Sequence, residues 1–320
     1  MAVFTPLSSA DAARVVAAMG LGDAIGELRR VLPVAAGSVN SNFFLEGSRG
    51  RVFFRIYEEQ EVAGVAYEWA LLDHLRSEGL AVPRRLGVAP PGAVRVDGKP
   101  TAAFTVVDGR MSCQRGVSAA RLRALGTFLG QVHAAPFGWR REGRFRPPDV
   151  RRRLTTIPAD GELGSVRGEL AATLDAVEAA WPRGLPRGVT HGDLFRDNAL
   201  WSGDTLRGVL DWESAAEDWL AYDLAVTLLA WCCGEELDWE LARALLDAYE
   251  RVRPLTEAER AAFGVLALAA AVRFTVTRIT DFQLRRADGS RVHKDYRRFL
   301  MRVRALRALG AEGLRARLAL

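Results

Sequence analysis

The chain has 320 residues, 49% of them hydrophobic and 26% charged, enough to bury a sizeable core and, by length, to form two lobes. Its 44 Lys and Arg against 39 Asp and Glu leave a formal net charge of +5, an excess too modest to argue for nucleic acid as a partner. The three cysteines, Cys113, Cys232 and Cys233, show no metal spacing, and the neighbouring pair is poorly placed to bridge, so reduced thiols and a cytoplasmic location are expected.

The N-terminus lacks the charged start and long apolar core of a secretory signal. A first helix is capped by Ser8 or Ser9, with Asp11 in its first turn, and ends among Gly20, Gly22 and Gly26. Strands follow over about 30–35, 42–45 and 51–57. Between the first two lies the polar turn 37–42, whose backbone N–H groups can approach phosphates, although such turns are common. The third strand carries one cation, Arg55, in its middle. A helix over 61–78 then places Glu68 among an apolar face of Ala66, Trp69, Ala70, Leu72 and Leu75. A strand cation paired with a carboxylate on the next helix is the phosphate-contacting arrangement of a kinase small lobe, and Arg55 and Glu68 fit those positions.

Gly79 and Pro83 close that helix. Residues 94–96 and 101–107 read as a hairpin about the turn 97–100, and Asp108-Gly109 breaks the pattern. We expect a first lobe over 1–108, a hinge at 104–109 offering backbone groups near Val107 to an adenine edge, and a helical second lobe over 109–320. Ser118 caps a helix over 119–134 with an apolar stripe of Leu122, Leu125, Phe128, Leu129 and Val132, and His133 at its end reads as packing or capping. The stretch 139–153 holds seven arginines among Pro and Gly. It reads as a solvated, mobile loop, with a flap near an acidic substrate as the sharper alternative. A helix over about 166–181 precedes Pro182 and Pro186.

The segment 189–213 is the most informative. His191-Gly192-Asp193 and Asn198 form a His-x-Asp-x4-Asn pattern, followed thirteen residues later by Asp211 at the end of a second short strand. Phosphoryl transfer needs a carboxylate to orient and deprotonate an acceptor hydroxyl, and hard oxygen ligands for magnesium. Asp193 suits the first need, Asn198 and Asp211 the second. His191 is expected to hold the loop and not to act as base. On the next helix, which starts near Trp219, Asp223 is a carboxylate amid Leu220, Leu224, Thr227, Leu228 and Trp231. Burial there demands partners, so it is expected to brace the loop backbone. Helices over 239–252, 257–279 and 294–309 complete the chain. The longest apolar run, 263–272, is too short to span a membrane and reads as a buried helix. Arg273, Arg278 and Asp281 lie near the end of that helix.

These stretches together resemble a known family. Val-Asn-Ser-Asn-Phe-Phe (39–44), His-Gly-Asp-Leu-Phe-Arg-Asp-Asn (191–198), Leu-Ala-Tyr-Asp-Leu-Ala (220–225), Ala-Trp-Cys (230–232), Val-Arg-Pro-Leu-Thr-Glu-Ala-Glu (252–259) and Val-Arg-Phe-x3-Arg-x2-Asp-Phe (272–282) are similar to bacterial homoserine kinases built on the aminoglycoside-phosphotransferase/choline-kinase fold. The resemblance covers nearly the whole chain. It implies an α+β, two-lobed protein-kinase-like fold, with a small antiparallel-sheet N-terminal lobe and a mainly helical C-terminal lobe. It implies ATP and Mg2+ as cofactors, L-homoserine as acceptor, and neither nucleic acid nor membrane as partner. By position it makes Asp193 the base, Asn198 and Asp211 the magnesium ligands, and Arg55 with the turn of Ser38, Asn40 and Ser41 the phosphate contacts. Gly192 stands where these kinases often have Ala, Trp212-Glu213 where an aromatic pair is frequent, and Arg55 where the wider superfamily has Lys. An amino alcohol, a sugar or an aminoglycoside is the alternative acceptor, with Glu213 and the 212–218 segment as the place where a cationic one could be read. A non-catalytic nucleotide-binding module is the lesser alternative.

Overall fold

In the computed structural model the described residues are 3–34, 39–143, 146–284 and 294–320. They fall into two compact units, one formed by Met1–Gly109 with Arg207–Glu213, the other by Arg110–Leu206, Ser214–Gly289 and His293–Leu320.

The first unit is built on strand alternation. Ser8 caps α1 (Ser9–Met19) through the Asp11 amide, and the short α2 (Gly22–Ile25) follows. Strands β1 (Leu28–Pro33), β2 (Ser41–Gly47) and β3 (Arg51–Ile56) pair antiparallel. Helix α3 (Val62–Ser77) comes next, then β4 (Arg85–Leu86), β5 (Arg95–Val96) and β6 (Lys99–Thr105), and the sheet order is β1-β2-β3-β6-β4 with β5 on β6. Side chains two apart along a strand share a face. Phe43 and Leu45 of β2 and Val52, Phe54 and Ile56 of β3 therefore pack on one side, against Val15, Val16, Met19 and Ile25 of the first two helices. The same parity turns Phe53 and Arg55 to the other side, where Asn42 is the cross-strand partner of Arg55. The β5–β6 hairpin turns on two residues, Asp97 and Gly98, both at positive φ, and not on the four expected. Segment 207–213 joins this unit through the Val209 amide, which donates to the Ala81 carbonyl at 2.8 Å.

The second unit is mainly helical. Strand β7 (Arg110–Met111) is followed by α4 (Ala119–Ala134), α5 (Pro147–Leu154) and α6 (Gly161–Ala179). Then come β8 (Arg187–Thr190), β9 (Ala199–Ser202) and β10 (Thr205–Val209), within which the chain passes into the first unit. On return, β11 (Ala216–Trp219) pairs antiparallel with β8, and α7 (Leu220–Trp231), α8 (Trp239–Val252), α9 (Glu257–Arg278) and α10 (Arg297–Leu318) complete the unit. Every residue of α7 is buried. Helix α9 starts in a full capping box of Thr256 and Glu259 and, despite its apolar composition, is a buried core helix. Helices α4 and α8 approach closely because α4 carries Gly126 and Gly130 there: a Cβ on Gly126 would lie 2.2 Å from the Leu245 carbonyl oxygen.

Three sequence expectations are corrected. The second half of the Arg-rich stretch is not a loop: Pro147 opens α5 with Asp149 in its first turn. Arg151 forks onto Glu178 at 2.7 and 3.0 Å and reaches Asp175 at 2.7 Å, while Arg153 pairs with Asp281 at 2.7 Å. The helix expected from near Trp219 begins at Leu220, and Ala216–Trp219 before it form β11. The last helix runs on to Leu318 past Gly310, whose φ of 73° interrupts it.

Candidate active site

In the second unit the turn after β8 is fastened from below. Both oxygens of the fully buried Asp223 accept backbone hydrogen bonds, from His191 N at 2.7 Å and Gly192 N at 2.8 Å. Gly192 turns the chain at a φ of 76°. The Trp231 indole donates to the Leu194 carbonyl at 2.9 Å and pins the next residue. The expectation that Asp223 braces the loop and that His191 serves it structurally is what the geometry shows: His191 is buried and its Nδ1 accepts from the Asp193 amide at 3.3 Å.

Behind Asp223 runs a buried relay that sequence reading missed. The Arg253 guanidinium donates to the Tyr249 hydroxyl at 3.1 Å, and that hydroxyl lies 2.8 Å from His133 Nδ1. His133 Nε2 lies 3.2 Å from Asp223 Oδ2. A carboxylate only accepts, so the Nε2 tautomer of a neutral imidazole lets every donor point inward. Burial lowers the His133 pKa, which keeps the ring neutral. Arg253 is itself held by Glu259 at 2.8 Å. The signal was faint: a histidine at a helix end and a tyrosine 116 residues away.

The Asp193 carboxylate is partly enclosed, and among the described residues no hydrogen bond reaches it. Burial raises its pKa, against the nearby positive charges of Lys294 and Arg273. Asn198 donates its amide N–H to the Asp193 carbonyl at 2.8 Å, which turns its oxygen the other way.

In the first unit Arg55 is the buried centre. It donates to Asp211 Oδ1 at 2.9 Å and Asn42 Oδ1 at 3.2 Å, and lies 3.8 Å from Glu68 Oε1. Burial opposes its charge, but Asp211, Glu213 and Glu68 outweigh burial and raise its pKa. Glu68 also accepts from the Tyr57 hydroxyl at 2.7 Å. Asp211 sits at a φ of 65°, one oxygen on Arg55 and the other without a hydrogen bond among the described residues. Burial and the Asp211 charge push Glu213 up to about 7, and Asn40 donates to it at 2.6 Å. Glu213 is buried within its own unit, where Asn40 holds it.

Asn40 and Ser41 are buried, and their side chains are committed. Asn40 accepts from the Glu58 amide at 3.2 Å, and the Ser41 hydroxyl accepts from Phe4 N and Thr5 N at 2.8 and 2.9 Å. Their backbone N–H groups, not their side chains, remain the candidates for a phosphate. Ser38 lies outside the described residues. Val107 follows β6 and faces Gly208, where a Cβ would lie 2.9 Å from its methyl. No three His, Cys, Asp or Glu side chains cluster as metal ligands among the described residues. A magnesium ion asks less of the protein, one or two oxygens besides water and phosphate. The Asn198 amide oxygen and the second Asp211 oxygen have the right chemistry.

A small antiparallel-sheet unit with a buried strand cation, and a helical unit with a braced Asp turn, define a small-molecule kinase fold. Comparison with known proteins agrees. A profile described as the phosphotransferase enzyme family matches residues 30–255. The chain is 37% identical over 290 residues to a homoserine kinase of Methylocella silvestris, covering 88% of both chains. It is 37% identical over 316 residues to a homoserine kinase of Xanthobacter autotrophicus, covering 95% of both. An aminoglycoside phosphotransferase of Alicyclobacillus acidocaldarius shares the fold with a TM-score of 0.66 at 18% identity, over 98% of this chain and 96% of the other. The chain belongs to the phosphotransferase enzyme family.

Proposed function

We propose that this enzyme transfers the γ-phosphoryl group of ATP to the side-chain hydroxyl of L-homoserine, giving O-phospho-L-homoserine and ADP. The observation that carries the reaction type is the Asp193 carboxylate, held in a braced turn, partly enclosed and without a hydrogen bond among the described residues. The homoserine kinase relatives, alike over nearly the full chain, support the acceptor. Phosphorylation makes the hydroxyl a leaving group, as threonine synthesis requires.

Asp193 accepts a hydrogen bond from the acceptor hydroxyl, aims its oxygen at the γ-phosphorus, and takes the proton as the new P–O bond forms and the bond to ADP breaks. Raising the Asp193 pKa by burial makes it a better proton acceptor. Asn198 and Asp211 are the proposed Mg2+ ligands. The ion, when bound, neutralises charge on the phosphate oxygens. Arg55, kept charged by Glu68 and Asp211, and the backbone amides of the turn with Ser38, Asn40 and Ser41 would contact phosphates. The chain near Val107 would meet the adenine edge. Most of the acceleration then comes from positioning and charge neutralisation.

The test is ADP release with ATP and magnesium against L-homoserine, L-serine, L-threonine, choline, ethanolamine and kanamycin. L-homoserine is expected to give the dominant rate, and Asp193→Ala to lower kcat by about 10²- to 10⁴-fold. Because Asp193 is a carboxylate that burial disfavours, the variant should melt no lower than the parent. Near-normal turnover in Asp193→Ala, or selective turnover of another acceptor alone, would refute the respective half of the reading.

A further inference from the structure

Helix α9 ends at Arg278 and continues as a π-helical turn, Ile279–Gln283. The Arg278 guanidinium stacks 4.4 Å from the Phe299 ring centroid and lies 5.9 Å from that of Phe195, two residues beyond Asp193. Lys294 reaches the same Phe195 ring, its Nζ 6.0 Å from the centroid. Two cations of separate segments thus flank one aromatic side chain of the catalytic turn.

Their partners differ in kind. Asp281, the nearby acid, is spent on Arg153 at 2.7 Å. Lys294 has Asp197 at 3.6 Å, an exposed carboxylate. Arg278 makes one hydrogen bond, to the Asp295 backbone carbonyl at 3.0 Å, and no ion pair within 4.0 Å among the described residues. Burial and the like charge of Arg302 pull its pKa down to about 10, against Asp193 and Asp197. A guanidinium half removed from water, with five N–H donors and one acceptor, gains from an anion that brings two more. Arg presents them as a fork that matches a carboxylate.

We infer that Arg278, with Lys294 beside it, receives the carboxylate of the acceptor amino acid and thereby selects L-homoserine over amino alcohols bearing the same hydroxyl. The inference rests on the homoserine reading above and adds the residues that recognise the acceptor. Four bonds separate the homoserine hydroxyl oxygen from its carboxyl carbon, roughly 5 Å when extended. Phe195, which both cations approach, stands two residues beyond Asp193. In serine the same groups are one bond closer.

The experiment compares L-homoserine with 3-aminopropan-1-ol, the same molecule without its carboxylate, in the full-length enzyme with ATP and magnesium. Arg278→Gln should raise KM for L-homoserine about 10- to 100-fold and leave KM for ATP within about twofold. The preference for L-homoserine over 3-aminopropan-1-ol, as a ratio of kcat/KM, should fall by the same factor. Arg278→Lys should recover part of it. Because Arg278 packs on two aromatic rings, Lys294→Gln is the second variant: its side chain is more loosely held, and the same ratio should fall about 3- to 10-fold. Equal losses for both acceptors, a loss expressed in KM for ATP, or an unchanged ratio in Lys294→Gln would overturn the inference and leave homoserine phosphorylation standing. A parent enzyme that ignores L-homoserine would remove both together.

Discussion

Replacing Asp223 by Asn should weaken the protein and the reaction by one route. The carboxylate receives His191 N at 2.7 Å, Gly192 N at 2.8 Å and His133 Nε2 at 3.2 Å, in a fully buried position. An isosteric amide keeps one accepting oxygen, so its NH2 must face one of the backbone N–H groups. That forfeits a charge-assisted hydrogen bond, about 1.5–3 kcal/mol, and strands a buried donor, about 1–3 kcal/mol more. The expected loss is about 3–5 kcal/mol. In a cooperative unit of this size it lowers Tm by roughly 6–20 °C. Release of the turn moves Asp193, and kcat should fall at least about 10-fold, with a smaller change in KM. Burial opposes the Asp223 charge, but His133 and the backbone hold its pKa below the usual 3.8. Its contribution is therefore present above the unfolded value and lost as pH falls through the lower folded one. The Asn variant should lose less stability on acidification. Thermal melts from neutral to acid pH and initial rates measure all three effects. A variant that melts within about 2 °C of the parent and turns over within about twofold would refute the bracing argument.

Two further outcomes follow from the same geometry. Arg55→Met removes the cation between Asp211 and Glu68, strands a buried carboxylate, and should cost about 3–5 kcal/mol in urea unfolding, with partial recovery in Arg55→Lys; a parental midpoint would show that the pair is dispensable. His133 has a folded pKa below its ordinary 6.5 because it is buried. The stability it confers is full above 6.5 and declines as pH falls toward the folded value, so His133→Gln should flatten the Tm loss between about pH 8 and 5.5, and an unchanged slope would place the proton elsewhere.

The sequence reading succeeded where structure is local. Ser118 and the apolar stripe behind it bound α4 at both ends, and the helix over 239–252 is also the one observed. A carboxylate on an apolar helix was enough to foresee that Asp223 must serve the backbone. The reading failed where partners come from afar. Arg151 looked solvated because Asp175 and Glu178 sit a helix away. The strand Ala216–Trp219 was not anticipated because its strand character comes from pairing with β8, not from its own polar residues. His133 and Tyr249 meet only because two glycines let α4 and α8 close up, a condition written one helical turn apart and legible only once the neighbouring helix is known. Asp193, Asn198 and Asp211 stood out by their spacing, whereas Lys294 carried no signal of its own.

Segment 207–213 belongs to the first unit although about a hundred residues of the second precede it. On the ribosome, the first unit cannot finish when residue 109 emerges. At about 5–20 residues per second, roughly 5–20 s pass between residue 109 and Asp211. Of the partners Arg55 has in the finished protein, Asn42 and Glu68 are already made by then, while Asp211 is still to come, as is Trp212, which is 1% exposed in the finished protein. Order of synthesis and order of folding are therefore uncoupled here. A fragment ending at Gly109 should behave as an incomplete fold, restored only when a peptide spanning 207–213 is supplied.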